Sequence, residues 1–238
     1  MHFLLIHGSW HGAWCWKKLT PFLSKNHHVT CLELPGSGQR FGEIDQVTLP
    51  LLTDTLRQFL TEATSPVTVI AHSFAGLLIA QLAECFDDII HHSFYLAAWL
   101  PREGYSLVDM AMEYNNSELP TIFKPAEKTN WLALDPIGAK TIFYHDCNEE
   151  DQNYAAERLK PKNSLPDQTK LSAVKNNQSL AKSTYIICSE DKVIKPSSQL
   201  DMAIRFGFTK TQCIDFPSGH SPFLAKPELL SKILLESV

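Results

Sequence analysis

No cluster of lysines and arginines occurs in this sequence, and no G-x-x-x-x-G-K loop. With a formal net charge of −5 at pH 7, nucleic acid is not an expected partner, and nothing offers a phosphate cradle. No apolar stretch approaches the length needed to cross a bilayer, so no membrane partner is expected. The first apolar run, Phe3-Leu4-Leu5-Ile6, breaks at His7-Gly8. It has no basic lead and no cleavage site, and so does not resemble a signal peptide. The six cysteines are scattered without a C-x-x-C pair. They are expected to be mostly buried, reduced thiols in a cytoplasmic protein. The ten histidines include adjacent pairs at 27–28 and 91–92 but no H-E-x-x-H, so no catalytic metal is expected. What the chain does have is length and apolar content. Its 238 residues, 44% of them hydrophobic, can build one α/β domain with a sizeable core or two small domains.

The stretch Val67-Thr68-Val69-Ile70-Ala71-His72-Ser73-Phe74-Ala75-Gly76 organises the rest. Its β-branched start reads as a buried parallel strand. Its continuation, Leu77 to Ala83, reads as a helix packed on most sides. Between them a serine sits among small residues. The pattern approaches G-x-S-x-G, with Ala71 and Ala75 in place of glycine, and predicts a strained strand-to-helix turn that exposes the hydroxyl. Before it, His2 to His7 and His28 to Leu34 read as strands. Trp14 to Ser24 and the segment after Thr48 read as helices, the latter with a stripe of Leu52, Leu56, Phe59 and Leu60. After it, Ile89 to Ala98 reads as a further strand. The alternation predicts a doubly wound, mostly parallel sheet with helices on both faces. From about 100 to 175 prolines recur and no clean strand is visible, which predicts a cap of helices and loops inserted within a single domain spanning 1–238. Strands at 183–188 and 211–216 and helices at Pro196–Phe206 and Pro227–Glu236 complete the chain.

A serine hydroxyl needs a base. In such a sheet the base must come from loops beyond the C-terminal strand ends. Strand 183–188 is followed by Ser189-Glu190-Asp191-Lys192, and strand 211–216 by Pro217-Ser218-Gly219-His220-Ser221. Ser73, Asp191 and His220 therefore stand in the chain order expected of a triad built on this turn, as nucleophile, orienting acid and base. Glu190 and Asp215 are weaker candidates for the acid. Two backbone N–H groups are expected to receive an oxyanion, that of Phe74 and one from the loop after the first strand, Gly8-Ser9. Gly8, Trp10, His11 and Trp131 are the expected substrate-binding residues, and His72 is read as a packed, hydrogen-bonded histidine. The apolar cap residues Trp99, Leu107, Met110, Met112, Ile122, Phe123, Trp131 and Leu132 are expected to divide between packing the cap and lining a dry site near Ser73.

These residues resemble a known family. Leu5 to Trp16 (Leu-Ile-His-Gly-Ser-Trp-His-Gly-Ala-Trp-Cys-Trp) is similar to the N-terminal signature of the α/β-hydrolase branch that holds plant methylesterases, hydroxynitrile lyases and bacterial esterase relatives. Leu34–Gly38, Ala71–Gly76, Phe143–Cys147, Asp191–Ile194 and Gly219–Phe223 match the same branch. The resemblance implies the α/β-hydrolase fold, the triad named above, Ser9 and Phe74 as the oxyanion donors, and a helical cap over an apolar pocket. It also implies a cofactor-free serine carboxylesterase whose partner is a small ester molecule, with a homodimer left open. The lyases of this branch carry a threonine where Gly8 stands and a lysine where Ser221 stands. Both are missing here, which counts against cyanohydrin cleavage. A lyase and a ligand receptor that keeps the triad but turns over poorly remain the alternatives.

Overall fold

The computed structural model describes residues 1–174 and 177–238. Six strands form one parallel sheet: β1 (His2–Ile6), β2 (His28–Leu32), β3 (Val67–His72), β4 (Ile90–Leu96), β8 (Ser183–Cys188) and β9 (Cys213–Phe216), in the order β2-β1-β3-β4-β8-β9. The register between β1 and β3 runs from His2 opposite Val67 to Ile6 opposite Ala71. These two strands therefore end level, and Gly8-Ser9 and Ser73 emerge side by side. On the other side of β4, β8 and β9 also pair in register, Cys188 opposite Phe216. All six residues of β3 and all six of β8 are buried, as expected for parallel strands covered on both faces.

The flanking helices follow their apolar spacing. Leu49–Glu62 buries Leu52, Leu56 and Leu60, and Thr48 Oγ1 caps it by accepting from the Leu51 N–H at 3.2 Å. The helix Ala75–Leu82 buries every residue but Gln81. Two expected elements are altered. Trp14–Ser24 is a 3₁₀ turn at Ala13–Lys18 followed by a short helix at Thr20–Leu23, where Pro21 sits in the first turn. The strand expected at 211–216 begins only at Cys213, after a 3₁₀ turn at Lys210–Gln212.

The segment after β4 holds helices at Leu107–Tyr114, Pro136–Ile142 and Glu149–Ala156. It also holds a three-stranded antiparallel sheet of β5 (Phe123–Pro125), β6 (Trp131–Leu134) and β7 (Lys162–Asn163). This corrects the expectation of a cap without strands. Strands of two to four residues are too short to show alternation, and β6 pairs with β7 across two intervening helices, Trp131 opposite Asn163. The expected far edge of the cap, residue 175, lies outside the described residues. All six cysteines are free thiols. Among the described residues no helix is long and apolar enough to cross a membrane.

Candidate active site

Ser73 closes β3 and opens the turn into the helix Ala75–Leu82. Its φ is +53°, a left-handed conformation that costs a non-glycine residue energy and persists only where the surroundings impose it. Here the backbone is held from both sides. The Ser73 N–H donates to Leu96 O at 3.1 Å, and Ser73 O accepts from the Trp99 N–H at 3.0 Å and the Gly76 N–H at 3.1 Å. The turn is also too tight for bulk. A Cβ on Gly8 would lie 2.8 Å from Ser73 Cβ, and one on Gly76 would lie 2.4 Å from Trp99 O. Ala71 and Ala75, where glycine is more usual, are fully buried.

His220, in the loop after β9, is completely buried. Its Nδ1–H donates to Asp191 Oδ2 at 2.7 Å. Asp191 follows β8 and is itself tied down. Its Oδ1 accepts from the N–H groups of Val193 (2.7 Å) and Ile194 (3.0 Å), and Oδ2 also accepts from Gln199 Nε2 (2.9 Å). The carboxylate therefore has a fixed orientation and fixes in turn the tautomer of the ring. The other ring nitrogen, Nε2, is buried without a hydrogen-bond partner. His72 Nε2–H donates to the His220 carbonyl at 2.9 Å, and the two rings lie 4.7 Å apart. The structure thus joins His220 to Asp191 directly and brings His220 against the neighbour of Ser73. No hydrogen bond closes between Ser73 and His220. The rival acids stand apart: Glu190 and Asp215 are both exposed.

A cavity of about 300 Å³ opens beside Ser73. Ser9, Trp10, Ser73 and Phe74 form its inner end, and Trp99, Leu107, Met112, Phe123 and Leu132 supply apolar wall. Met110 and Ile122 instead pack into the core. Three of the expected substrate-binding residues are placed elsewhere. Trp131 is half-buried on the far side of β6, where its Nε1–H donates to Asp45 Oδ1 at 3.1 Å and its ring meets Phe41. Alternation along β6 sends it away from Leu132, which does face the cavity. His11 is buried behind the loop, donating from Nδ1 to Ser9 O (2.8 Å) and accepting at Nε2 from Tyr144 OH (2.7 Å). Burial drives its pKa down to about 3, so the ring is neutral and braces the Ser9 backbone. Gly8 makes room for Ser73 and does not line this cavity. Trp10 lines the cavity, with its Nε1–H donating to Leu132 O at 2.9 Å.

Residues 3–233 match the family model described as alpha/beta hydrolase family. The chain belongs to that family. Its relatives lie on the methylesterase-like side. Norfluorocurarine synthase 2 from Strychnos nux-vomica is 29% identical, over 99% of this chain and 94% of its own length. Methyl jasmonate esterase 1 from Vitis vinifera is 27% identical, over 100% and 96%. Among solved structures, polyneuridine aldehyde esterase superposes with a TM-score of 0.82 at 25% identity, covering 99% of this chain and 98% of its own.

Four further residues shape the site of this hydrolase and were not singled out by sequence. Gln199 holds Asp191 and accepts from the Cys188 N–H at 3.1 Å, locking the acid loop to β8. Asp146, in the cap, accepts from Ser218 Oγ (2.7 Å) and the Gly219 N–H (2.8 Å), which pins the His220 loop from above. Lys162 and Asp167 pair beside Ser9. Asp146 lies within a motif that carried the family resemblance, so a signal existed. The other three are polar residues in unremarkable helical or proline-flanked contexts, and only the fold brings them to the site.

Proposed function

We propose that this enzyme is a serine carboxylesterase that hydrolyses small, largely apolar esters through an acyl-enzyme on Ser73. The observation that carries the reading is the buried Asp191–His220 hydrogen bond set beside a strained serine at the mouth of a strand-to-helix turn. His220 Nε2, buried and unpartnered, takes the Ser73 hydroxyl proton as Oγ attacks the ester carbonyl. Such bonds often tighten only in the substrate complex, which accounts for the open Ser73–His220 contact. Asp191 stabilises the imidazolium without itself taking the proton. The negative charge developing on the carbonyl oxygen goes to the backbone N–H groups of Ser9 and Phe74, at the positive end of the helix that follows Ser73. His220 returns the proton to the departing alkoxide, and the alcohol leaves. A water deprotonated by His220 then cleaves the acyl-enzyme, releasing the acid and restoring Ser73. The apolar cavity suits a small acyl or alcohol group. In this reading 1–238 is one domain and 100–175 is its cap.

The test is to mix the enzyme with an activated aryl ester. A burst of alcohol release and an acyl adduct on the Ser73 peptide, seen by mass spectrometry, are expected. Ser73→Ala should lower kcat by a factor on the order of 10⁴ without loss of fold. Efficient cyanohydrin cleavage with no ester turnover and no adduct would overturn the reading in favour of a lyase. Ligand binding with neither turnover nor adduct would favour a receptor.

A further inference from the structure

The inner end of the cavity contains a charged pair that the mechanism above does not use. Lys162 on β7 and Asp167, five residues on, form an ion pair whose side chains are only 12% and 8% exposed. Both line the cavity beside Ser73. The Lys162 ammonium donates to Ser9 Oγ at 3.0 Å and lies over the rings of Trp10 (4.6 Å) and Phe74 (5.5 Å). It therefore touches the side chains of both residues whose N–H groups receive the oxyanion. One oxygen of Asp167 is engaged by Lys162. The other, Oδ1, is buried and has no hydrogen-bond partner.

A buried ion pair is a poor device for stability, since apolar residues of similar size often replace it without loss. A buried carboxylate oxygen left without a donor is costlier still, because such atoms are almost always satisfied. The pair stands in a largely apolar cavity, where a few convergent polar groups set orientation and specificity. What Oδ1 lacks is a donor, and a substrate hydroxyl supplies one. Resting on the esterase reading, we propose that Lys162 and Asp167 form a polar subsite that accepts a hydroxyl close to the scissile carbonyl. The favoured substrates are then esters of short 2- or 3-hydroxy acids. Asp167 Oδ1 accepts the hydroxyl proton, and Lys162 holds the carboxylate in place while adding positive charge near the oxyanion. A site built to hydrogen-bond a hydroxyl discriminates strongly against the analogue without one, because its own polar group is then left unpaired.

The test compares kcat/KM for phenyl butanoate, phenyl 2-hydroxybutanoate and phenyl 3-hydroxybutanoate. The wild-type enzyme should favour one hydroxy ester over the deoxy ester by at least about tenfold. In the double variant Lys162→Met/Asp167→Leu, which removes both charges at similar volume, that ratio should fall to about one. Using the ratio cancels any general loss of catalysis, and circular dichroism checks the fold. Equal rates for all three esters in the wild type would overturn the subsite. A preference that survives in the double variant would overturn it as well. Ser73→Ala separates this from the parent reading. If that variant still hydrolyses all three esters, the esterase mechanism fails rather than the subsite.

Discussion

Ser73 and Asp191 show how single residues are held in the conformation their chemistry needs. The serine keeps a φ of +53° because three backbone hydrogen bonds surround it. The aspartate spends one oxygen on two backbone N–H groups and shares the other between Gln199 and His220. An amide at 191 would offer His220 the wrong partner or turn its ring to the wrong tautomer. Asp191→Asn should therefore lower kcat by roughly 10³-fold or more. Asp215→Asn, on an exposed position of β9, should stay within about twofold of wild type, as isolated surface changes do. Steady-state kinetics on one aryl ester distinguishes the two. A dead Asp215→Asn beside an active Asp191→Asn would reassign the acid.

At the scale of elements, the site depends on how closely strands, helix and cap approach one another. Gly76 lies where the nucleophile helix meets the loop after β4. Alanine there gains up to about 1 kcal/mol in helix propensity. Its Cβ, however, would sit 2.4 Å from Trp99 O and 2.8 Å from Ala98 Cβ, and the Trp99 oxygen is backbone that cannot swing aside. Overpacking of this kind costs about 1–3 kcal/mol, so the net change is a loss. Gly76→Ala should show a lower urea midpoint with an unchanged slope. Between cap and sheet, Asp146 makes two hydrogen bonds to the His220 loop. Asp146→Ala should leave the chain folded but let that loop drift. We expect kcat to fall by roughly tenfold, with KM less affected, since small displacements of a catalytic group cost rate before binding. An unchanged kcat would show that the loop's bonds to His72 and Asp191 hold it without Asp146.

Across the whole molecule, three histidines besides His220 are fully enclosed near the sheet's C-terminal edge. Burial lowers the pKa of His7 and His72 and takes that of His11 down to about 3. In the unfolded chain each regains a value near 6.5. Between that value and the folded one, the unfolded state binds more protons, so stability rises with pH. The contribution is complete above about pH 6.5 and is lost as the pH falls below it, continuing down to about pH 3 for His11. Each histidine adds a slope of about 1.4 kcal/mol per pH unit inside its window. Urea midpoints measured from pH 7.5 to pH 4.5 should therefore fall steeply below pH 6.5, and the fall should be shallower in His72→Phe. A flat profile would contradict the neutral, buried state of these rings.

The order of elements was legible in the sequence because it rests on local signals. β-branched runs, helical stripes and turn residues act within a few positions, and they located all six strands of the main sheet and the serine between β3 and its helix. Chain order then singled out Asp191 and His220, because a parallel sheet puts every loop that follows a strand on the same edge. The contacts that complete the site were decided by the tertiary structure alone. Lys162 meets Ser9 across 153 positions and Asp146 meets Ser218 across 72, and no local pattern encodes either approach. The same holds for the small cap sheet, whose strands are stabilised by pairing with distant partners rather than by their own alternation. It holds also for Trp131 and His11, whose types suit a pocket. One was turned outward by the pleat of β6 and the other was sealed behind the Ser9 loop by Tyr144, because burial and hydrogen bonding are properties of the assembled packing and not of the residue.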